Sequence, residues 1–352
     1  MYPYRVFISY AHVDRPRVEQ LVEVLRNAGM TPLWDKDLLP GTGFSEQIQS
    51  FIRNSHVFLP FITDAAAKRP WLHQEIGFAT ALGKPILPVT LGGLPLGIIS
   101  EIQAVLLKDD LSDAGDKLSA DYFRMLFDRK TERTISYECP EDNTRRAILL
   151  ADYADGIWAI RQHGVVRQRA SLGSYCWMDR GETDPVWRKY FPATPDDITL
   201  FRALRQELVA LQRHAKVRGC RLILDPVDRL EIVFRKQGLV GVKTRVSGLL
   251  RFLEDKEAVK DVVVAFNDEA ERTVSITLVG DWFSSEAVSS GGTRVLREAL
   301  FTRDAQTVRQ QVEDFDNRMQ DLLAISGWDE ASSRGLATTK LQAYLDQLSA
   351  RQ

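Results

Sequence analysis

The first hundred residues alternate short apolar runs with amphipathic segments, joined by short polar connections, and nothing else restricts the fold of this chain as much. Val6-Phe-Ile-Ser-Tyr10 has the unbroken apolar character of a central parallel strand, buried on both faces. Asp14 can cap a helix running to Ala28, with Val18, Leu21, Val22 and Leu25 at helical spacing and Gly29 as its stop. Thr31-Pro-Leu-Trp34 is a second strand, followed by a loop over 35–43 with a Pro40-Gly41 turn. A second helix carries Phe44, Ile48, Phe51 and Ile52 on one face. A strand at 56–62 leads into a helix from Pro70 that stops at Gly83. Pro85-Ile-Leu-Pro-Val89 and Gln103-Ala-Val-Leu-Leu107 are the fourth and fifth strands. Pro88 removes a ladder donor and fits best near an edge or a bulge. Strict alternation with short connections implies a parallel sheet covered on both faces, with a flavodoxin-like strand order.

The total of 352 residues allows two domains, and the formal net charge of -2 argues against general nucleic-acid affinity. The N-terminus lacks the charged-then-apolar order of a signal peptide, and no apolar run approaches the roughly 20 residues of a membrane span. Cys139, Cys176 and Cys220 are scattered without metal spacing, as expected of reduced thiols in a cytoplasmic protein.

The segment Trp71-Leu-His-Gln-Glu75 carries the chemistry. Trp71 and Glu75 are four residues apart on a helix and so share a face, at the carboxyl end of a strand. Open α/β sheets bind their ligands at that end. A flat aromatic beside a carboxylate there suits a site that cleaves a nucleotide. A carboxylate can stabilise an oxocarbenium-like ribosyl group and position or deprotonate the attacking hydroxyl. The plainer readings stand beside this one. Glu75 alone would be a solvated helix residue, Trp71 can pin its helix to the sheet, and Trp34 and Ser9 can be core and strand-end residues. His12 and His73 read as surface residues. A dinucleotide fingerprint is missing: Gly41-x-Gly43 has no third glycine, and Tyr10-Ala-His-Val-Asp14 occupies the turn after the first strand. Any NAD bound here is therefore a substrate rather than a hydride carrier.

Three segments, Tyr4-Arg-Val-Phe-Ile-Ser-Tyr10, Asp37-Leu-Leu-Pro-Gly41 and Trp71-x-x-x-Glu75, resemble the signature boxes of TIR (Toll/interleukin-1 receptor) domains in their order and spacing. The resemblance covers residues 1–110 and is nearer the bacterial type of the family. It implies an enzyme that cuts the nicotinamide–ribose bond of NAD, giving ADP-ribose or a cyclic isomer, with no cofactor and no metal. Under it Glu75 falls on the catalytic glutamate and Trp71 on the aromatic before it. Phe7 and Ser9 lie on the edge that faces the nucleotide, Trp34 offers a stacking surface, Asp35 and Lys36 border the pocket, and Phe44 covers it. The resemblance also implies self-association through TIR domains and a role in antiviral defence.

Residues 111–130 read as a linker and 131–352 as a mixed α/β sensor or assembly domain of no recognised family. Its expected elements are helices at 119–129, 143–160, 194–214, 304–325 and 337–349. Strands are expected at 134–139, 221–224 and 230–234, with a hairpin of 261–266 and 272–279. Gly280–Ser285 and Ser289–Gly292, with Arg294 and Arg303, are the candidate ligand loops. Arg145, Arg146, Arg161, Arg167 and Arg169 form a basic stretch that faces an anion or solvent. The expected function is an NAD glycohydrolase controlled by an activating ligand or protein on the second domain, without membrane or direct nucleic-acid contact. The alternatives are a non-enzymatic scaffold that acts by TIR assembly and a small-nucleotide binder whose first domain is structural.

Overall fold

The computed structural model describes residues 4–34, 44–67, 70–91, 103–128, 138–177, 195–234, 238–268, 274–289 and 296–351. The chain divides into two compact units, Met1–Thr134 with Ala159–Arg161, and Ile135–Trp158 with Gln162–Gln352.

The first unit is a five-stranded sheet of β1 (Arg5–Ser9), β2 (Thr31–Leu33), β3 (Val57–Ile62), β4 (Val89–Leu91) and β5 (Val105–Leu107). The order is β2-β1-β3-β4-β5 and every pairing is parallel, which is the expected flavodoxin-like winding. Its helices begin with α1 (Arg15–Asn27), α2 (Phe44–Asn54), α3 (Asp64–Ala67) and α4 (Pro70–Ala81). Alternate residues of β1 serve opposite layers, as the two-residue repeat of a strand requires. Val6 and Ile8 pack with Val18, Leu21, Val22 and Leu25 of α1. Phe7 lies on the other side, stacked on Phe51 of α2. Gly29 and Gly83 follow α1 and α4 with φ of 76° and 62°, a left-handed conformation that costs glycine nothing.

Two boundaries differ from the sequence reading. The fourth strand begins later than expected. Ile86 makes only an isolated bridge to Phe58, and the ladder resumes at Phe61↔Val89. The common offset sets Pro60 opposite Pro88, so the two adjacent strands lack donors at the same level. The interruption therefore lies inside the sheet rather than at an edge. The stretch 111–130 is also no simple linker. It holds α5 (Ala114–Lys117) and α6 (Ala120–Asp128), whose Ala114 and Phe123, with Leu118 between them, complete the first core. Its polar residues hid four buried apolar positions, Leu111 among them.

The second unit is built on β6 (Val166–Ala170), β7 (Cys220–Leu224), β8 (Val262–Phe266), β9 (Val274–Val279), β10 (Phe283–Ser289) and β11 (Leu296–Thr302). The order is β11-β10-β9-β6-β7-β8. β6, β7 and β8 are parallel, and β9, β10 and β11 continue antiparallel from β6. The helices are α7 (Asn143–Ala159), α8 (Pro195–Arg218), α9 (Leu230–Val233), α10 (Gly238–Glu254), α11 (Ala305–Ser326) and α12 (Glu330–Ala350). The mixed α/β expectation holds. On α11 the stripe Val308, Val312, Phe315, Met319 and Leu322 is buried as its spacing predicts, and Asp304 caps the first turn through Thr307 N–H at 2.9 Å.

The expected hairpin of 261–266 and 272–279 does not form. All five residues of β8 are buried, which suits a parallel strand, and it pairs with β7 while β9 crosses to β6. The tight turn is instead Gly280–Trp282, between β9 and β10. The 230–234 run is the short helix α9, because Leu230 and Phe234 are buried one turn apart while Ile232 faces out at 49% exposure. The last helix starts seven residues earlier than expected, where Asp329 accepts from Ser332 N–H at 2.7 Å. Of the strand expected at 134–139, Glu138 bridges Phe301, and 134–137 lie outside the described residues.

Candidate active site

In a sheet of order β2-β1-β3-β4-β5 the chain leaves β1 towards one edge and β3 towards the other. The connections diverge there and open a crevice between the carboxyl ends of those two strands. Ser9 is the last residue of β1, and α4 follows β3 with Pro70 as its first residue. The buried stripe of α4 is Leu72, Glu75, Ile76 and Ala79. Glu75 therefore occupies a position that helical periodicity reserves for an apolar side chain.

The Glu75 carboxylate is 8% exposed and accepts a hydrogen bond from the Ser9 hydroxyl at 2.5 Å. No cation lies within ion-pair distance of it among the described residues. Burial pushes the carboxyl up to about 7 from its ordinary 4.5, and the Ser9 hydroxyl pulls it the other way. The group thus changes charge near neutral pH, the range in which a carboxylate can exchange protons with a substrate hydroxyl.

The model of the TIR domain family matches residues 6–121. The first unit carries a TIR domain. The match extends past residue 110 to include Ala114 and Leu118, in keeping with their place in the first core. Among solved structures, the TIR domain of the Toll-related receptor TRR-2 from Hydra magnipapillata is similar at 22% identity. The match covers 35% of this chain and 94% of that one, with a TM-score of 0.29. The CMP N-glycosidase BcmB of Clostridium botulinum is similar at 21% identity, over 32% of this chain and 97% of that one, with a TM-score of 0.26. No curated protein matches the chain.

Within the TIR domain, Ser9 and Glu75 are brought into direct contact. Trp71 is half-buried one turn before Glu75 on α4. Trp34 is 4% exposed, with its ring 6.4 Å from Tyr10 and the Arg15 guanidinium 6.0 Å from its centroid. Phe7 sits two residues short of the strand end, between Phe51 at 5.5 Å and Phe58 at 6.0 Å. It is 4% exposed and lies on the same face of β1 as Ser9. Asp35, Lys36 and the rest of the loop over 35–43 lie outside the described residues, as does the side chain of Phe44, the first residue of α2. His12 and His73 are exposed.

Sequence reasoning misassigned one residue of the TIR domain's crevice. Asp14 looked like a helix cap, but it ends a 3-10 turn and makes no side-chain cap bond. Its carboxylate accepts from the Thr63 hydroxyl at 2.6 Å, and Thr63 in turn accepts from Ala66 N–H at 3.2 Å. The pair ties the loop after β1 to the loop after β3 across the switch point. Local sequence cannot reveal it, because 49 residues separate the partners. The burial of Glu75 did have a signal, since Leu72, Ile76 and Ala79 frame it at helical spacing.

The candidate loops of the second unit read differently in three dimensions. Asp281, Trp282, Phe283, Ser284 and Ser285 are buried in the β9–β10 turn and in β10. Arg303 lies 3.8 Å from the centroid of the Tyr153 ring, while 290–292 and Arg294 are outside the described residues. Two arginines of the basic stretch are committed to internal pairs. Arg146 meets Glu207 at 2.9 Å, and Arg167 is bidentate to Asp316 at 2.7 and 2.8 Å. None of the three cysteines is disulfide-bonded. No helix among the described residues is long and apolar enough to cross a membrane.

Proposed function

We propose that the TIR domain is an NAD glycohydrolase that breaks the nicotinamide–ribose bond, with Glu75 as its catalytic carboxylate. One observation carries the reading: a buried glutamate at the switch point, held by a serine hydroxyl and without a cation among the described residues. Nicotinamide in oxidised NAD is already a cationic leaving group and departs without an acid. The residual demand is for negative charge beside the ribosyl cation and for a group that orders the attacking hydroxyl. Ionised Glu75 meets both demands, and its Ser9 bond leaves the second carboxylate oxygen for the ribose. Attack by water releases ADP-ribose, and attack by a group of the same nucleotide closes a ring.

NAD enters this reaction as substrate, and no cofactor or metal is invoked. Trp71, half-exposed one turn from Glu75, offers a stacking face for a base. Asp35, Lys36 and Phe44 complete the pocket by analogy with the family. The second unit acts as sensor or assembly domain. Self-association of TIR domains completes the site, so that cleavage is confined to the triggered state. Such control suits antiviral defence in a cytoplasmic setting, where uncontrolled loss of NAD would kill the cell.

The test is free nicotinamide measured by chromatography. The full chain, driven to associate by concentration or cross-linking, is incubated with NAD beside its Glu75→Gln variant. The reading expects release by the wild type alone. Equal release from both chains would remove Glu75 from the chemistry, and none from the associated wild type would leave the TIR domain as a non-enzymatic scaffold.

A further inference from the structure

The parallel half of the second sheet has a carboxyl edge of its own, formed by the ends of β6, β7 and β8. The ladder runs one step past these strands. Asp225 N–H donates to Ser171 O at 3.2 Å, and Asn267 N–H donates to Leu224 O at 2.7 Å. Asp225 and Asn267 therefore end neighbouring strands, with the roughly 5 Å spacing of a sheet between them. Both are almost completely enclosed, at 2% and 3% exposure. Among the described residues, neither the nitrogen nor the oxygen of the Asn267 carboxamide has a hydrogen-bond partner.

A buried amide with both functions unmet is costly in a folded protein, and native structures keep few of them. Elsewhere in the same unit the equivalent side chain is fully used. The Gln168 amide nitrogen donates to Ser174 at 2.7 Å and to Thr277 at 3.2 Å, and its oxygen accepts from Ser174 N–H at 3.0 Å. Asn267 also lies where open α/β sheets hold their ligands, past the carboxyl end of parallel strands.

We infer that Asn267, with Asp225 beside it, is a recognition point for the edge of a nucleobase in the second unit. A carboxamide offers one donor and one acceptor side by side, the complement of a base edge, and asparagine reads adenine bidentately in this way. A nucleoside is thus the class of ligand that this unit senses, at a place separate from Glu75.

The test is calorimetric titration of the full chain with adenosine, guanosine and nicotinamide, for the wild type and for Asn267→Leu, Asn267→Ala and Glu75→Gln. At least one nucleoside is expected to bind the wild type and Glu75→Gln alike. The Asn267 variants that keep the wild-type circular dichroism spectrum should bind it roughly tenfold or more weakly. Nicotinamide is expected not to compete. The inference is overturned if neither nucleoside binds the wild type at millimolar concentration, or if a folded Asn267 variant binds as the wild type does. Binding of nicotinamide in place of either nucleoside would also overturn it. A higher melting temperature for Asn267→Leu without nucleoside binding by the wild type would mark the amide as an unmet group and nothing more.

Discussion

Glu75 and Glu207 are two buried glutamates that share a motif and differ in what completes it. Each accepts a serine hydroxyl at 2.5 Å, from Ser9 in the TIR domain and from Ser174 in the second unit. Their exposures are 8% and 3%. Glu207 also receives the Arg146 guanidinium at 2.9 Å, and Ser174 continues into the network of Gln168 and Thr277. Among the described residues Glu75 has the serine and no arginine. A paired carboxylate joins elements of a fold. A buried carboxylate without a cation is poor at joining anything, and its protonation responds to the solution and to a ligand. The contrast separates a structural use of the side chain from the chemical one proposed for Glu75.

The largest effect expected from this contrast is on turnover. Glu75→Gln should lower nicotinamide release roughly 10²- to 10⁴-fold, read by chromatography, with the circular dichroism spectrum unchanged. The same variant tests the energetic side. The carboxyl of Glu75 titrates at about 7 in the folded chain, above its ordinary 4.5. A raised value means that its contribution to stability is complete below pH 4.5 and is lost as pH rises through 7. At pH 8 the buried charge costs the wild type roughly 3 kcal/mol. Glu75→Gln should therefore melt above the wild type at pH 8 and close to it at pH 5.

Arg146→Ala should do the reverse. It strands the Glu207 charge, whose side chain is 4% exposed, and should destabilise the second unit by roughly 3–5 kcal/mol in urea denaturation. A loss below about 1 kcal/mol would mean that the pair is not the tie described here.

Much of this comparison was legible in the sequence, and what was not has identifiable causes. The winding of the TIR sheet followed from local signals, namely apolar runs, helix stops at Gly29 and Gly83, and Pro70 at a helix start. Glu75 was marked by its spacing from Trp71 and by the family resemblance. Its Ser9 bond spans 66 residues and depends on how β1 and α4 pack, which no local pattern encodes. Phe7 lies on the face of β1 that Ser9 shares, and its stacking on Phe51 depends on where α2 packs, which no local pattern encodes. In the second unit the hairpin expected at 261–279 failed because β8, apolar throughout, joins a parallel neighbour. Strand existence was readable there and strand partnership was not.

Two smaller effects sharpen the contrast. Ser9→Ala removes the one group that lowers the Glu75 carboxyl, so its titration should move further above 7, read by NMR of labelled glutamate. Activity at pH 7 should fall and recover towards the wild-type value at higher pH, a recovery that purely structural damage would not give. The Thr63→Val change removes the donor to Asp14 across the switch point and should cost about 1 kcal/mol in thermal melts, with the Glu75 titration unmoved.

The most direct measurement is the pH dependence of kcat/KM for nicotinamide release by the associated full chain between pH 5 and 9. If Glu75 must be ionised to act, the rate rises through a single group near pH 7, and the midpoint moves upward in Ser9→Ala. A profile flat across that range and retained in Glu75→Gln would contradict the account.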